Sequence, residues 1–340
     1  MIHPPLIDRA IVLTGPTASG KSTLSIALAE AWNASTQGRS APMEIVSVDS
    51  VAVYRGMDIG SAKPTASDRG RVPHHLLDIV DPCDEFSIAE YLDCAHQCVT
   101  RLHAEGRVPL LVGGTPLYLK ALLRGFDPGP PPDDAFRQAC EADIKTHGSR
   151  ALWERVNQVD PLAAHRIEVA DTRRLIRALE FRRVTGTPIS HHQLQFEASV
   201  ATKDACAFAV MWPREDLKKR IATRVAEMMQ LGFVDEVRGL MERHGHLSKT
   251  ARQSVGYREI MHGFESRASA NTLVAEITRS TQRLAKRQMT WLRSFSELRS
   301  LDGANTSANL LGDLIEAIAS WRSRSRHDPG ALEGKAIDQT

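Results

Sequence analysis

The sequence is poor in cysteine and has no long apolar run. Its 340 residues include only five cysteines, an odd number, and none of them forms a C-x-x-C pair. This usage is typical of reduced thiols in the cytoplasm, and it makes a zinc site or a disulfide framework unexpected. No apolar run approaches the ~20 residues of a membrane span. The opening MIHPPLIDRA lacks the basic and apolar segments of a signal peptide. We therefore expect a cytoplasmic protein that does not enter membranes.

The chain also lacks a strong charge of either sign. Its formal net charge is +2, so no global electrostatic field attracts nucleic acid, and local patches must hold any such partner. The length indicates two domains, or one domain with an insertion. Composition thus excludes a broadly basic RNA-binding protein but leaves a local RNA surface open.

The most informative stretch is GPTASGKST, Gly15–Thr23, which fits the G-x-x-x-x-G-K-[ST] pattern of a phosphate-binding loop. It follows the apolar run AIVLTG and opens a segment whose apolar residues recur at helical spacing. Between a strand and a helix, the backbone N–H groups of such a loop surround a phosphate, while its lysine adds charge and its hydroxyl binds Mg²⁺. The predicted cradle comprises Gly15, Pro16, Thr17, Ala18, Ser19, Gly20, Lys21 and Ser22, with Ser22 as the metal ligand.

Strands and helices alternate in the first part of the chain, which predicts an α/β fold with a parallel sheet. Three apolar runs end at Gly15, at Asp49 and at Gly113-Gly114-Thr115. Because ligands of such sheets bind at the carboxyl ends of the strands, the sheet should bring these positions together. The polar stretch NASTQGRSAP, residues 33–42, is interpreted as a surface loop.

After GFDPGPPPDD the pattern becomes helical without strands, and ACAFAVMWP then predicts a strand that returns to the sheet. The predicted fold is a P-loop NTPase-like parallel sheet core with an all-helical insertion domain. The polar C-terminal tail is expected to be disordered. The predicted segments are a first core part at 1–129, the insertion at 130–204, the return strand and C-terminal helices at 205–322, and the tail at 323–340.

Hallmarks of nucleotide-hydrolysing proteins are missing from the sequence. It contains no N-K-x-D guanine motif, and the strand ending at Gly113 lacks the aspartate of a Walker B site. Asp49 is the only carboxylate that closes a strand, at a place where some small-molecule kinases hold their substrate. A small-molecule kinase therefore remains an alternative, as does an RNA-binding protein that uses a nucleotide as a switch. Since loop N–H groups recognise phosphate oxygens, a diphosphate on another organic group fits equally well.

Six stretches of the chain, in this order, resemble the bacterial tRNA dimethylallyltransferase family: GPTASGKST, SVDSVAVYRGMDIGSAKP, PHHLLDIVDP, LLVGGTPLYLKALL, SVGYRE and LAKRQMTWLR. The resemblance runs from about Ala10 to Arg293. It implies transfer of a dimethylallyl group from dimethylallyl diphosphate to N6 of the adenosine 3′ to the anticodon (adenosine 37), giving N6-(dimethylallyl)adenosine and diphosphate. The implied partners are that donor and the tRNA anticodon stem-loop, and the implied cofactor is Mg²⁺. We expect the protein to act as a monomer.

The resemblance also assigns the reaction centre. Lys21, with Mg²⁺ on Ser22, would stabilise the charge on the departing diphosphate. Asp49 would take the N6 proton as general base; a metal ligand and a helix cap remain its alternatives. Thr115 and Arg137 match catalytic positions of the family, although a strand-end cap and a solvated charge are equally ordinary readings of these residue types.

Two arginines that follow the return strand lie one helical turn apart. Arg220 and Arg224 could close on the diphosphate or face solvent, and Arg224 is assigned to the diphosphate site. The adjacent His74 and His75 suggest a metal, but no third ligand is evident, and a structural or RNA-facing role is preferred.

Two basic segments are candidates for an RNA track despite the low net charge. TRSTQRLAKRQMTWLRSF separates basic from apolar residues in the manner of an amphipathic helix, and DTRRLIRALEFRR is rich in arginine. Each is also compatible with a solvated helix face. At Gln253 the chain departs from a family arginine, with Arg252 beside it, and the target adenosine must leave its stack to reach the enzyme. By resemblance, the tRNA-binding residues are Asp49, Ser50, Val51, Ala52, Arg173, Arg174, Leu175, Ile176, Arg177, Gln253, Ser254, Val255, Gly256, Tyr257, Arg258, Lys286, Arg287, Gln288, Trp291 and Arg293.

Overall fold

A computed structural model describes residues 2–192, 205–305 and 308–325 of the chain. The chain divides into two compact units. One, which we call the helical unit, comprises residues 1–4 and 124–200, and the other, the sheet unit, comprises residues 5–123 and 201–340. The boundary predicted at 204 and the tail beyond 325 lie outside the described residues. Among the described helices, none is long and apolar enough to span a membrane.

The sheet unit contains six parallel strands in the order β3-β2-β4-β1-β5-β6. The central strand β1 pairs with β4 on one side, Val12 facing Leu111, and with β5 on the other, Val12 facing Ala207. Residues of the central strands are buried, as expected for a parallel sheet covered on both faces. The return strand is confirmed as β5, whereas the edge strands β3 and β6 were not anticipated. The strands are β1 Ile11–Thr14, β2 Met43–Val48, β3 His74–His75, β4 Val108–Gly113, β5 Ala207–Met211 and β6 Arg299–Asp302.

Helices connect these strands and flank the sheet. The helix that leads into β4 begins with a capping box, because Ser87 and Glu90 each accept the other's backbone N–H. In chain order the helices are α1 Lys21–Ala34, α2 Thr36–Ser40, α3 Ala66–Arg71, α4 Ile88–Ala104, α5 Pro116–Arg124, α6 Asp134–Val159, α7 Pro161–Arg166, α8 Thr172–Thr185, α9 Arg214–Gln230, α10 Phe233–His244, α11 Lys249–Gln253, α12 Tyr257–Ser266, α13 Ala270–Leu292 and α14 Ala308–Ser325.

The reading of residues 33–42 as a surface loop is wrong. This stretch ends α1 and forms the short helix α2, whose N-cap Ser35 accepts the N–H of Gly38. The indole of Trp32 is fully buried and donates to the Ala41 carbonyl. Asn33 exchanges hydrogen bonds with the backbone of Met43. These local bonds turn a polar sequence into a compact connection to β2.

The helical unit is built from α6, α7 and α8 around an apolar core of its own. Leu152, Val156, Leu175 and Ile176 are among its buried residues. The long helix α6 is interrupted at Gly148, whose φ of 78° lies in the left-handed region. The regular elements of the described part of this unit are helices, as the sequence predicts for the insertion.

Candidate active site

The loop between β1 and α1 has the shape that its glycines require. A Cβ atom at Gly15 would lie 2.6 Å from the Ser19 hydroxyl and 2.8 Å from the Val210 carbonyl, so no side chain fits there. Gly20 adopts φ 86° and precedes α1, which has no side-chain cap. The first N–H groups of α1 therefore remain open to an anion.

Two side chains that follow β5 in the chain donate hydrogen bonds to backbone carbonyls of this loop. The Arg220 guanidinium donates to the Ala18 carbonyl at 2.7 Å, and the Trp212 indole donates to the Ser19 carbonyl at 2.8 Å. The guanidinium also lies 4.3 Å from the centre of the Trp212 ring. Ala18 is thereby held in a left-handed conformation, with φ 62°. Arg220 thus supports the loop, a role that its position in the sequence did not indicate.

The loop opens onto a cleft of about 150 Å³ that Lys21, Ser22, Asp49 and Arg224 all line. The sheet thus gathers the strand-end positions as predicted. Arg224 donates to the Thr17 hydroxyl at 3.3 Å. Burial and the charge of Arg224 lower the pKa of Lys21 from 10.5 to about 8, against the attraction of Asp49. Burial likewise lowers the pKa of Arg224. Two partly buried cations beside a single carboxylate favour binding of an anion.

Asp49 follows β2, and its two carboxylate oxygens have different surroundings. Oδ1 accepts the N–H groups of Val51 at 2.8 Å and Ala52 at 3.1 Å, so this oxygen caps the turn that follows β2, and no helix begins there. Oδ2 has no hydrogen bond with any described residue. The cap orients the carboxylate and leaves one oxygen available to a ligand.

Thr115 acts on the segment that follows Asp49. Its hydroxyl oxygen accepts the Ser50 N–H at 3.1 Å, and the hydroxyl lies 3.4 Å from the Ser50 hydroxyl. The strand-end role considered for Thr115 is therefore real, and a contact with substrate stays a prediction.

The segment 58–64, whose residues 60–64 line the cleft, is secured by two charged side chains to which the sequence assigned no role. Lys63, whose side chain is 1% exposed, lies 2.6 Å from both Asp58 and Asp78. Glu236 on α10 accepts the consecutive N–H groups of residues 58–60 at 2.7 to 3.2 Å, together with the Tyr257 hydroxyl at 2.7 Å. An acidic residue in the first turn of an amphipathic helix carries no sequence signal for such a distant partner.

The adjacent histidines His74 and His75 have different surroundings, because successive side chains of a strand point to opposite faces. His74 lines the cleft, and burial lowers its pKa. His75 lies 2.6 Å from Glu44, which also pairs with Arg107. The structural interpretation of His75 is thus supported by its contacts.

Arg137 belongs to the helical unit, where it forms a two-pronged ion pair with Glu180 at 2.8 and 2.9 Å. Glu180 also accepts the Asp133 N–H and a bond from Arg177. Burial alone would raise the Glu180 pKa, but these donors lower it from 4.5 to about 2. Arg137 is not a free solvated charge, and its catalytic assignment stays a prediction.

Some of the side chains assigned to tRNA binding are buried and others are exposed. Leu175 and Ile176 lie in the core of the helical unit, and Tyr257 is fully buried, so a contact at these positions can involve only the backbone. Arg177 donates to the carbonyls of Pro128 and Pro130. The exposed members are Arg173, Arg174, Gln253, Arg258, Lys286, Arg287 and Arg293.

The amphipathic character of α13 is confirmed. Arg279, Arg283, Lys286 and Arg287 are exposed, while Ile277 is buried in the sheet unit. None of these four cations forms an ion pair within the described ranges 2–192, 205–305 and 308–325. Their charge is therefore available to a partner.

The chain matches the family model described as IPP transferase over residues 52–295, more than half of its length. It is 52% identical to the tRNA dimethylallyltransferase of Rhodopirellula baltica over 322 residues, covering 93% of this chain and 96% of that protein. The chain belongs to the tRNA dimethylallyltransferase family. A further member, from Methylibium petroleiphilum, is 42% identical and covers 88% of this chain, with 92% of its own length matched.

Solved structures place the fold in the same family. The full-length tRNA isopentenylpyrophosphate transferase of Bacillus halodurans is 32% identical, with a TM-score of 0.68, over 94% of this chain and 98% of that one. A eukaryotic dimethylallyltransferase, crystallised acting on tRNA, has a TM-score of 0.74 over 93% of this chain and 79% of its own. At 22% identity this second likeness bears on the fold alone.

Proposed function

We propose that the protein transfers a dimethylallyl group from dimethylallyl diphosphate to N6 of the adenosine 3′ to the anticodon of tRNA, adenosine 37. The observation that carries this proposal is the pair of partly buried cations, Lys21 and Arg224, beside the uncapped first turn of α1. Among the described residues that line the cleft, the only carboxylate is Asp49. The site thus suits a highly charged anion at one end and a proton donor at the other.

The diphosphate fits the P-loop side of the cleft. The first-turn N–H groups of α1 are uncapped, and the buried Ser19 hydroxyl has no hydrogen-bond partner among the described residues. As the C–O bond of the donor breaks, the bonding electrons remain on the diphosphate oxygen. Lys21 and Arg224 stabilise this growing charge more strongly than the charge of the bound donor, which accelerates transfer.

A divalent cation fits the same end, and we propose that it is Mg²⁺. The hydroxyl of Ser22 lines the cleft beside Lys21 and would hold the ion. A single protein oxygen suits Mg²⁺, because this ion keeps several waters and binds largely through substrate phosphates. When bound, the ion supplies further positive charge at the leaving group.

Asp49 suits the acceptor side. The exocyclic amine of adenine is a weak nucleophile because its lone pair is delocalised into the ring. Its protons become acidic as the new C–N bond forms, and the free Oδ2 of Asp49 can take one of them. The cap on Oδ1 keeps that oxygen directed while Thr115 holds the following residue.

The exposed basic face of α13 is the proposed track for the RNA backbone, since its cations have no partner within the described residues. The adenosine would be extruded from the anticodon loop to reach the cleft. We further propose that the protein acts as a cytoplasmic monomer on the tRNA anticodon stem-loop.

One assay separates this function from a small-molecule kinase. The protein is incubated with Mg²⁺, dimethylallyl diphosphate and an anticodon stem-loop RNA, and diphosphate release and RNA mass are followed. We expect diphosphate release only when both substrates are present, with a gain of one C₅H₈ unit per RNA. A parallel reaction contains ATP and no RNA. ADP formation there, with no prenylated RNA in the first reaction, would instead support the kinase.

A further inference from the structure

The side-chain amide of Gln288 joins three parts of the sheet unit. Gln288 lies on α13, is 7% exposed and borders the cleft. Its Oε1 accepts the Thr17 N–H of the P-loop at 2.8 Å, and its Nε2 donates to the Gly114 carbonyl at 2.8 Å. A Cβ at Gly114 would lie 3.0 Å from Nε2 and 2.9 Å from the Gly15 carbonyl, so the bridge depends on a glycine. The amide therefore uses its oxygen as an acceptor and its nitrogen as a donor to hold the loop against the end of β4.

Thr17 is a further point at which other elements hold the P-loop, besides the Ala18 and Ser19 carbonyls that Arg220 and Trp212 hold. Gln288 takes its backbone N–H from α13, and Arg224 donates to its hydroxyl from α9. The Thr17 N–H is consequently committed to Gln288 rather than open to a phosphate. A movement of α13 would displace the loop through this bond.

The other end of the bridge leads towards the acceptor side. Gly114 immediately precedes Thr115, which accepts the N–H of Ser50, the residue next to Asp49. On α13 itself, Lys286 and Arg287 directly precede Gln288 and are exposed. The helix that offers cations to RNA is therefore the helix whose buried amide holds both sides of the cleft.

We propose that Gln288 is a positioning residue that couples RNA binding on α13 to the diphosphate site. RNA held by the basic face restrains α13, and Gln288 then restrains Thr17. The P-loop is therefore partly ordered before the diphosphate binds, and the diphosphate has a smaller entropic cost to overcome. Diphosphate binding is tightened as a result, and by linkage diphosphate tightens RNA binding by the same factor. The proposed function identifies the two ligands, and the inference rests on it in that respect.

The test measures binding without any transfer. Inorganic diphosphate with Mg²⁺ is titrated into the full-length protein at constant ionic strength, with and without saturating anticodon stem-loop RNA. We expect RNA to tighten diphosphate binding by about fivefold or more, the usual lower range of such coupling. The reverse titration must show the same factor.

Gln288→Met removes both hydrogen bonds and retains the length of the side chain. It should reduce the coupling factor to below about twofold. RNA is kept saturating for each variant, so a change in RNA affinity does not by itself alter this factor. Gln282→Met is the matched control, because Gln282 is on the same helix and makes no hydrogen bond with the described residues. Its coupling should match that of the parent. Full coupling in Gln288→Met would overturn the proposal.

A measurement on the unmodified protein keeps the test decisive if Gln288→Met folds poorly. Amide hydrogen exchange in the peptide that contains Thr17 should slow when RNA alone is added. Unchanged exchange, or equal diphosphate affinities with and without RNA, contradicts the coupling. A protein that prenylates RNA yet shows no coupling refutes only this inference, whereas coupled binding without prenylation refutes the transferase.

Discussion

The lowered pKa of Lys21 makes diphosphate binding dependent on pH. Burial and Arg224 hold this pKa at about 8 instead of 10.5, and a bound diphosphate raises it again by favouring the charged lysine. We expect proton uptake on binding around pH 8 and an affinity that falls as the pH rises further. Calorimetry in buffers of different ionisation enthalpy measures this uptake. Lys21→Met should abolish it; undiminished uptake in that variant would place the proton on another group.

The lowered pKa of Lys21 also makes the stability of the ligand-free protein depend on pH. This stability rises with pH, whereas the affinity for diphosphate falls. Because the folded pKa lies below the unfolded one, the unfolded chain binds more protons between about pH 8 and 10.5. The contribution of Lys21 to the stability of the ligand-free protein therefore increases with pH across this window. Burial of this cation lowers stability at neutral pH in favour of the anion site.

Asp49→Asn separates a general base from a metal ligand. The amide oxygen can still accept the Val51 and Ala52 N–H groups, so the local structure should persist. It cannot take the N6 proton, and we expect the single-turnover rate to fall by about 10² to 10⁴. Affinity for dimethylallyl diphosphate should barely change. Weakened donor binding that is rescued by raising the Mg²⁺ concentration would show that Asp49 holds the ion.

The sequence predicted individual site residues unequally. Gly15, Lys21 and Asp49 were predictable because a local motif and strand ends determine their place. Gln288 was assigned to RNA, and the structure adds its bond to Thr17. Contacts between residues so far apart depend on how the completed fold packs, and residue type alone carries little information about them.

At the scale of the element, α13 is the feature whose exposed charge can be tested. Lys286→Ala and Arg293→Ala should each reduce the slope of log affinity for tRNA against log salt by about 0.7 to 0.9, the value for one phosphate contact. Filter binding across a salt series measures the slope. Arg39→Ala, which removes an exposed cation from α2, is the matched control. Parental slopes in both variants, at Lys286 on α13 and at its C-cap Arg293, would indicate a merely solvated face.

Helices were predicted well where the helical spacing of apolar residues extended over several turns, as in α4 and α13. Short elements escaped detection because few residues carry their pattern. Strand β6, RSLD, is mostly exposed and lacks clear alternation. Helix α2 contains a glycine and is stabilised by its Ser35 cap and the neighbouring Trp32 bond. Tertiary contacts and caps determined these segments against weak propensities.

At the scale of the whole molecule, the buried carboxylate of Glu180 connects separate segments of the helical unit. Glu180→Gln leaves Arg137 and Arg177 without their charge partner, and we expect a loss of about 2 to 4 kcal/mol in stability. Chemical denaturation monitored by hydrogen exchange in peptides of the helical unit measures it. Asp143→Asn, which breaks the exposed pair with Arg155, should cost less than about 1 kcal/mol. Equal effects of the two variants would contradict a special role for Glu180.

The lowered pKa of Glu180 makes the stability of the helical unit depend on pH. The Glu180 pKa is about 2 instead of 4.5, so its contribution is fully present above pH 4.5 and is lost as the pH falls towards 2. The wild-type protein should therefore lose stability over this interval more steeply than Glu180→Gln. Parallel acid titrations of the two proteins test this expectation.

The position of β1 has a consequence for synthesis on the ribosome. β1 carries the P-loop and needs β5 at its second edge, yet residues 114–206 separate β4 from β5. A nascent chain therefore exposes one unpaired, apolar edge of β1 until residues 207–211 have left the exit tunnel. The helical segment can acquire its own core during that interval, whereas the P-loop cannot be completed. Chaperone occupancy on translating ribosomes should accordingly persist until β5 emerges.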